Sequence, residues 1–141
     1  MSDTSDKLIE RAEIIECINR LFIGTDNRDW TMVKKCFADS VLFDMSSMGA
    51  GDAVLKSPDD ITAMWEAGLK PLKAIHHQVG NYLVSIDGVE AEAFCYGVAY
   101  HYLPNDSNVN TRSFIGSYDM TLINEGGDWM INKFQVEPEI Y

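Results

Sequence analysis

The stretch from Ala74 to Leu103, AIHHQVGNYLVSIDGVEAEAFCYGVAYHYL, decides the fold. It holds two long runs rich in β-branched and aromatic residues, broken at Asp87-Gly88, a dipeptide that suits a tight hairpin turn. The pattern predicts strands over 74–86 and 89–103. Two more follow by the same pattern, over 112–123 and 129–136, joined by Glu125-Gly126-Gly127-Asp128, which is again hairpin chemistry. Between the two pairs, Pro104 to Asn110 reads as a longer polar loop. Strands of this length in a small domain must curl.

Upstream the apolar period changes from two to three and four. Leu8, Ile9, Ala12, Ile15, Ile18, Leu21 and Phe22 recur between charged positions from Ser5 onward, an amphipathic helix that Gly24 is expected to stop. A second, short helix is expected from Asp29, whose carboxylate can cap it, to Phe37, with Trp30, Val33 and Phe37 on one face. Thr25, Asp26 and Asn27 then form the bend of a helical hairpin. Val41, Phe43 and Met45 alternate as in a strand. Ser57-Pro58-Asp59-Asp60 is the clearest helix start: a cap, a proline in the first turn, and two carboxylates at the positive end of the dipole. Ile61, Met64, Trp65 and Leu69 supply its apolar stripe. Helices followed by long strands predict an α+β fold, a cone-shaped curved antiparallel sheet closed by N-terminal helices around an apolar pocket. The 141 residues make one domain, 1–141, with no repeat or linker.

Lys and Arg total 11 against 22 Asp and Glu, a formal charge of -11 that argues against nucleic acid or an anionic membrane as partner. The expected ligand is small and neutral or apolar. Cys17, Cys36 and Cys95 form no C-x-x-C motif and sit in apolar stretches, as packing residues in a reducing, cytoplasmic setting would. MSDTSDKLIE has neither the positive nor the apolar region of a secretory leader, and no apolar run is long enough to span a bilayer, so a soluble protein is expected.

Three histidines, His76, His77 and His101, carry the side chains that titrate near neutrality without perturbation. Neighbours on a strand face opposite sides, so one of His76 and His77 faces inward. Ala93, Cys95, Gly97 and Ala99 share parity with His101 and are small, as suits a pocket wall. Phe94, Tyr96, Val98 and Tyr100 form a bulky face for a helix or a second subunit. A two-residue loop at Asp87-Gly88 would oppose His77 to Val98 and put His77 and His101 on different faces. A three-residue loop or one bulge would put them on the same face, and the pattern leaves both open. The Met and aromatic set of Phe22, Met45, Met48, Met64, Trp65 and Leu69 is core, part of which must wall any cavity. Arg112 and Lys133 read as solvated. Adjacent His76 and His77 cannot reach one ion, and there is no H-x-H, Gly-rich phosphate loop, G-x-S-x-G or dinucleotide fingerprint. Acid–base chemistry with no metal and no cofactor is expected.

Asp26-Asn27-Arg28-Asp29-Trp30, His76-His77-Gln78-Val79-Gly80-Asn81 and Gly116-Ser117-Tyr118-Asp119, in this order and spacing, resemble the SnoaL-like branch of the nuclear transport factor 2-like superfamily. Within it the chain is most similar to the scytalone dehydratase and hexachlorocyclohexane dehydrochlorinase type. The resemblance implies a His–Asp pair, His77 removing a carbon-bound proton while Asp26 holds its ring, and it favours the bulged hairpin. It places His101 on the dehydratases' proton-donating histidine and Tyr118 where they carry a pocket asparagine. Thr25 and Met45 replace the two tyrosines that hold a water on the substrate carbonyl, so scytalone itself is not the expected substrate. The implied activity is a cofactor-free lyase or isomerase acting on a small apolar or cyclic molecule. The alternatives are a non-catalytic binding or association module, or a polyketide-cyclase or hydrolase relative that would need further carboxylates, for which Asp44 and Asp119 are the strand candidates. Self-association as a homodimer or higher homo-oligomer through the Phe94–Tyr100 face is a further expectation.

Overall fold

Long strands demand neighbours, and the four long strands share one curved, unclosed, six-stranded sheet with two shorter ones in the computed structural model. It describes residues 4–140; positions 1–3 and 141 of the expected domain lie outside the described residues. Helix α1 (Thr4–Asp26) and helix α2 (Trp30–Lys35) lead into strand β1 (Phe37–Asp44). A 3-10 turn (Ser46–Met48), strand β2 (Val54–Lys56) and helix α3 (Pro58–Leu69) precede the long strands β3 (Ala74–Asp87), β4 (Glu90–Tyr102), β5 (Thr111–Glu125) and β6 (Asp128–Ile140). The sheet order is β2-β1-β6-β5-β4-β3. All pairs are antiparallel except β1 with β6, which run parallel. The expectation of a wholly antiparallel sheet fails there because a parallel neighbour needs only a long crossover, which the chain from β2 to β5 provides, and no local pattern announces it.

The core is built by Ile14, Ile18 and Leu21 of α1, Val33 of α2 and Ile61 of α3 against Val41, Cys95, Met120, Leu122 and Ile131 of the sheet. The apolar stripe of α1 therefore starts later than its sequence suggested: Leu8 and Ile9 stand exposed, and Ile14 and Cys17 are buried. Gly24 does not stop α1. A Cβ there would lie 2.9 Å from Val33 Cγ2, so this glycine lets α1 and α2 touch. Helix α2 ends at Lys35 rather than Phe37, although Asp29 caps it as expected, accepting from the Met32 amide at 3.2 Å. Phe37 instead opens β1, its ring 6.0 Å from that of Trp65, while Met45 falls just past the strand's end. Helix α3 begins as expected, with Ser57 Oγ accepting from the Asp60 amide at 3.1 Å.

The first hairpin differs from the simplest reading in two ways. Its loop is Gly88-Val89, with Asp87 paired to Glu90 and Gly88 at φ +64. Further along, Gly80 pairs with Tyr96 and Leu83 with Phe94, so Asn81 and Tyr82 together face Cys95 in a bulge. Asn81 takes the left-handed conformation, φ 59, which asparagine tolerates better than most residues. The bulge shifts the inward parity: Ile75, His77 and Val79 face in before it, Tyr82, Val84 and Ile86 after it. His77 consequently opposes Ala99, on the same face as His101. Tyr82 reaches α1, donating its hydroxyl to Asn19 Oδ1. Asn81→Gly is expected to melt at or above the wild-type temperature. Asn81→Val should cost about 1–2 kcal/mol, since a branched side chain resists this conformation. Equal melting temperatures for Val and Asn at 81 would refute the bulge.

On the outer face of β4, Tyr96 and Tyr100 are 48% and 41% exposed, and no helix among the described residues covers them. Nor is any described helix long and apolar enough to cross a membrane.

Candidate active site

Asp26 owes its position to the way α1 ends. The Arg28 amide donates to the Thr25 carbonyl at 3.1 Å and the Asp29 amide to the Gly24 carbonyl at 2.8 Å, with Arg28 at φ 54 in the slot that glycine usually fills. Its side chain explains the exception. Arg28 Nη2 donates to the carbonyls of Leu69 at 3.1 Å and Leu72 at 2.6 Å, tying the bend to the end of α3 and the approach to β3.

The same bend sets Asp26 against β3. Its Oδ2 accepts the His77 backbone amide at 2.8 Å and its Oδ1 meets His77 Nδ1 at 2.6 Å. Both side chains are largely buried, 14% and 12% exposed. A carboxylate only accepts, so Nδ1 carries a proton, and in the neutral ring the Nε2 lone pair is left for the cavity that His77 lines.

That cavity has a volume of about 220 Å³ and walls that are almost entirely apolar. Phe22, Met45, Met48, Trp65 and Leu69 line it with His77, His101 and Tyr118. Met64 does not. It is 38% exposed, one position round α3 from the inward row of Ile61, Trp65 and Leu69, so its expected place in the wall is corrected. Ala99, one of the small residues sharing parity with His101, lines it too, and the unanticipated wall residues are Thr25, Phe114, Ile115, Gly116, Phe134, Val136 and Pro138. Most follow from strand parity once Tyr118 is known to face in. The Thr25 hydroxyl is already engaged, donating to the Leu21 carbonyl at 2.8 Å.

Two polar groups accompany His77. The Tyr118 ring lies 4.8 Å from Phe22 and 5.6 Å from Phe134 between centroids, and its hydroxyl has no hydrogen-bond partner among the described residues. Burial, helped by the charges of Cys95 and Asp26, pushes its phenol up to about 12, so it stays protonated at neutral pH. His101 lies on the cavity wall with its ring 5.1 Å from Phe114. Burial lowers its pKa, the nearby His77 and Arg112 lower it further, and Asp26 opposes them.

The folded pKa of His101 thus lies below its ordinary 6.5, and the unfolded chain binds more protons as the pH drops beneath that value. Stability should therefore fall on acidification through this window. Melting temperatures measured on a pH series are expected to decline less steeply for His101→Gln than for wild type. Identical slopes would assign the acid sensitivity elsewhere.

His76 faces outward, its ring 6.4 Å from that of Tyr100. Asp119 lies on the outer groove with Lys133 and Gln135, and Asp44 is half-buried and accepts from the Ser46 hydroxyl at 2.6 Å. Neither reaches the cavity, which leaves Asp26, behind His77, as the carboxylate beside it among the described residues. The additional carboxylates that a hydrolase or cyclase reading needs are therefore not assembled. No group of three or more His, Cys, Asp or Glu side chains is placed to hold a metal ion among the described residues.

Helices capping an unclosed, curled sheet around an apolar cavity define a nuclear transport factor 2-like fold. Residues 6–135 match the SnoaL-like domain, and the chain belongs to that family. Among solved structures it is similar to the Kfla4162 protein of Kribbella flavida, with a TM-score of 0.91 and 22% identity over 96% of this chain and 94% of that one. It is also similar to a protein provisionally named a scytalone dehydratase from Novosphingobium aromaticivorans, TM-score 0.84 and 14% identity over 98% and 89% of the two chains. Hexachlorocyclohexane dehydrochlorinase LinA-type3 from Novosphingobium barchaimii gives a TM-score of 0.83 and 14% identity over 98% and 92%. At these identities the likeness is one of fold. A search of curated proteins finds no match.

Proposed function

We propose that the protein is a cofactor-free lyase or isomerase of the dehydratase type, acting on a small apolar or cyclic molecule. The observation that carries this reading is the double grip of Asp26 on His77, which fixes ring orientation and tautomer at the wall of an apolar cavity. His77 Nε2 takes a carbon-bound proton. The C–H electron pair moves into a new double bond, or onto a conjugated oxygen, and in an elimination the leaving group departs with its own bonding pair. The imidazolium formed is stabilised by the Asp26 carboxylate and returns its proton to the leaving group, to another carbon or to water. Tyr118, protonated with a free hydroxyl, donates a hydrogen bond where negative charge develops. His101, neutral at pH 7, offers a ring N–H to the leaving group. The dehydratase and dehydrochlorinase names of the structural relatives support elimination as the reaction type.

The test screens for a type of bond change rather than for one substrate. Cyclic ketones, β-hydroxy ketones and halogenated cycloalkanes are incubated with the protein in deuterated buffer and followed by proton NMR. Catalysed loss of a C–H signal, with or without release of water or halide, is expected for at least one class. If every compound that binds is recovered with all its protons and substituents, the cavity serves binding alone and the proposal fails.

A further inference from the structure

Gly97 sits in the middle of β4, paired with Val79 on one side and Gly116 on the other. Glycine inside a strand weakens it and usually marks a bulge, a bend or a close approach. Neither bulge nor bend applies here. The pairing is regular across to β5, and φ at Gly97 lies outside the left-handed region, in a conformation any residue adopts. What the position lacks is space. A Cβ on Gly97 would lie 2.4 Å from Cε2 and 3.2 Å from Cδ2 of Tyr118.

Tyr118 is paired with Cys95, so its ring leans diagonally across the β4–β5 ladder and comes to rest on the bare backbone at 97. Carbon atoms settle at about 3.5–4.0 Å, so a methyl group at 97 would require the ring to withdraw by roughly 1 Å. The Phe22 and Phe134 rings pack against it, and both residues are buried. Held between a glycine and two aromatic rings, the phenol has one place to be.

We propose that Gly97 is a positioning residue, whose missing side chain holds the Tyr118 hydroxyl at the cavity beside His77. This rests on the reading of Tyr118 as the cavity's hydrogen-bond donor, and the two separate experimentally. In Gly97→Ala the ring must change rotamer and meet more water. The Tyr118 phenol, followed by tyrosinate absorbance and assigned by difference from Tyr118→Phe, is then expected to fall from about 12 toward its ordinary 10.0. Turnover on the substrate found by the deuterium screen should drop to the level of Tyr118→Phe, about 10²-fold below wild type.

The double variant Gly97→Ala/Tyr118→Ala guards against a misfolded single variant. It is expected to fold and to melt with Tyr118→Ala, because the new methyl group then occupies the space of the missing ring. An unmoved phenol in Gly97→Ala would overturn the proposal. So would a double variant that fails to fold while Tyr118→Ala folds, since the clash would then lie elsewhere, as at Val79 Cγ1, 3.2 Å away. If the phenol moves in Gly97→Ala yet Tyr118→Phe keeps full turnover, the positioning role stands and the donor role falls.

Discussion

Exchange of His77 for alanine should lower proton abstraction by about 10²- to 10⁴-fold, the usual range for removing a positioned general base. The chain should stay folded. The imidazole gives up its tilted contact with Phe22, 5.2 Å between centroids, and its bond to Asp26, but the His77 amide remains and still donates to Oδ2. A stability loss of about 1–3 kcal/mol is expected from the carboxylate oxygen left without its partner. Rates follow loss of the substrate C–H signal in deuterated buffer, and far-ultraviolet circular dichroism reports the fold. A folded His77→Ala protein with wild-type exchange would end the general-base reading.

The second large effect should come from Asp26→Asn. An aspartate accepts both N–H groups of His77, whereas an asparagine has one oxygen and one NH2 to offer. With the oxygen kept on the backbone amide, the NH2 donates to Nδ1 and drives the ring proton to Nε2, the nitrogen that must be bare to take a proton. A loss on the order of 10⁴-fold is expected, the scale seen where the carboxylate behind a catalytic imidazole is amidated. Stability should change little, because every buried polar group keeps a partner. Nitrogen-15 NMR of the His77 ring separates this from a packing defect: the protonated nitrogen should be Nδ1 in wild type and Nε2 in Asp26→Asn. An active variant with an unchanged tautomer would mean that Asp26 only anchors the strand.

Features written in contiguous residues were legible before the structure. The Ser57 cap, the four long strands and the polar loop after Pro104 depend on near neighbours alone. The stop of α1 was not. Gly24 carries the usual signal, but the left-handed residue is Arg28, held by carbonyls of Leu69 and Leu72 that are remote in sequence. The pattern left the bulge open, although a change of phase marks its place. Ile75 and Val79 alternate in one phase and Tyr82, Val84 and Ile86 in the other, on either side of Gly80-Asn81. Strand-by-strand pattern also implied which neighbours of Tyr118 would line the cavity, once one residue of β5 was oriented. The β1–β6 pairing and the outward turn of Met64 needed three dimensions, since both depend on where a distant element lands. Asp26 stood out only through family resemblance, because an aspartate at a helix bend is ordinary on local grounds.

The bulge in β3 also sets how this site tolerates a change in chain length. What matters at the inner wall is which residue occupies the slot opposite Ala99, and that is settled by counting back from the Gly88-Val89 turn. A one-residue deletion between Gln78 and Asp87 has two outcomes. If the bulge closes, it gives up its extra residue and His77 keeps its slot. If the bulge persists, His76 slides in and His77 turns out to solvent, so one imidazole replaces another in front of Asp26. An insertion absorbed as ordinary pairing has no such refuge, because it brings Gln78 into the slot. Loss of a residue is thus buffered twice over, by slack in the strand and by a spare histidine, whereas gain of one disarms the site.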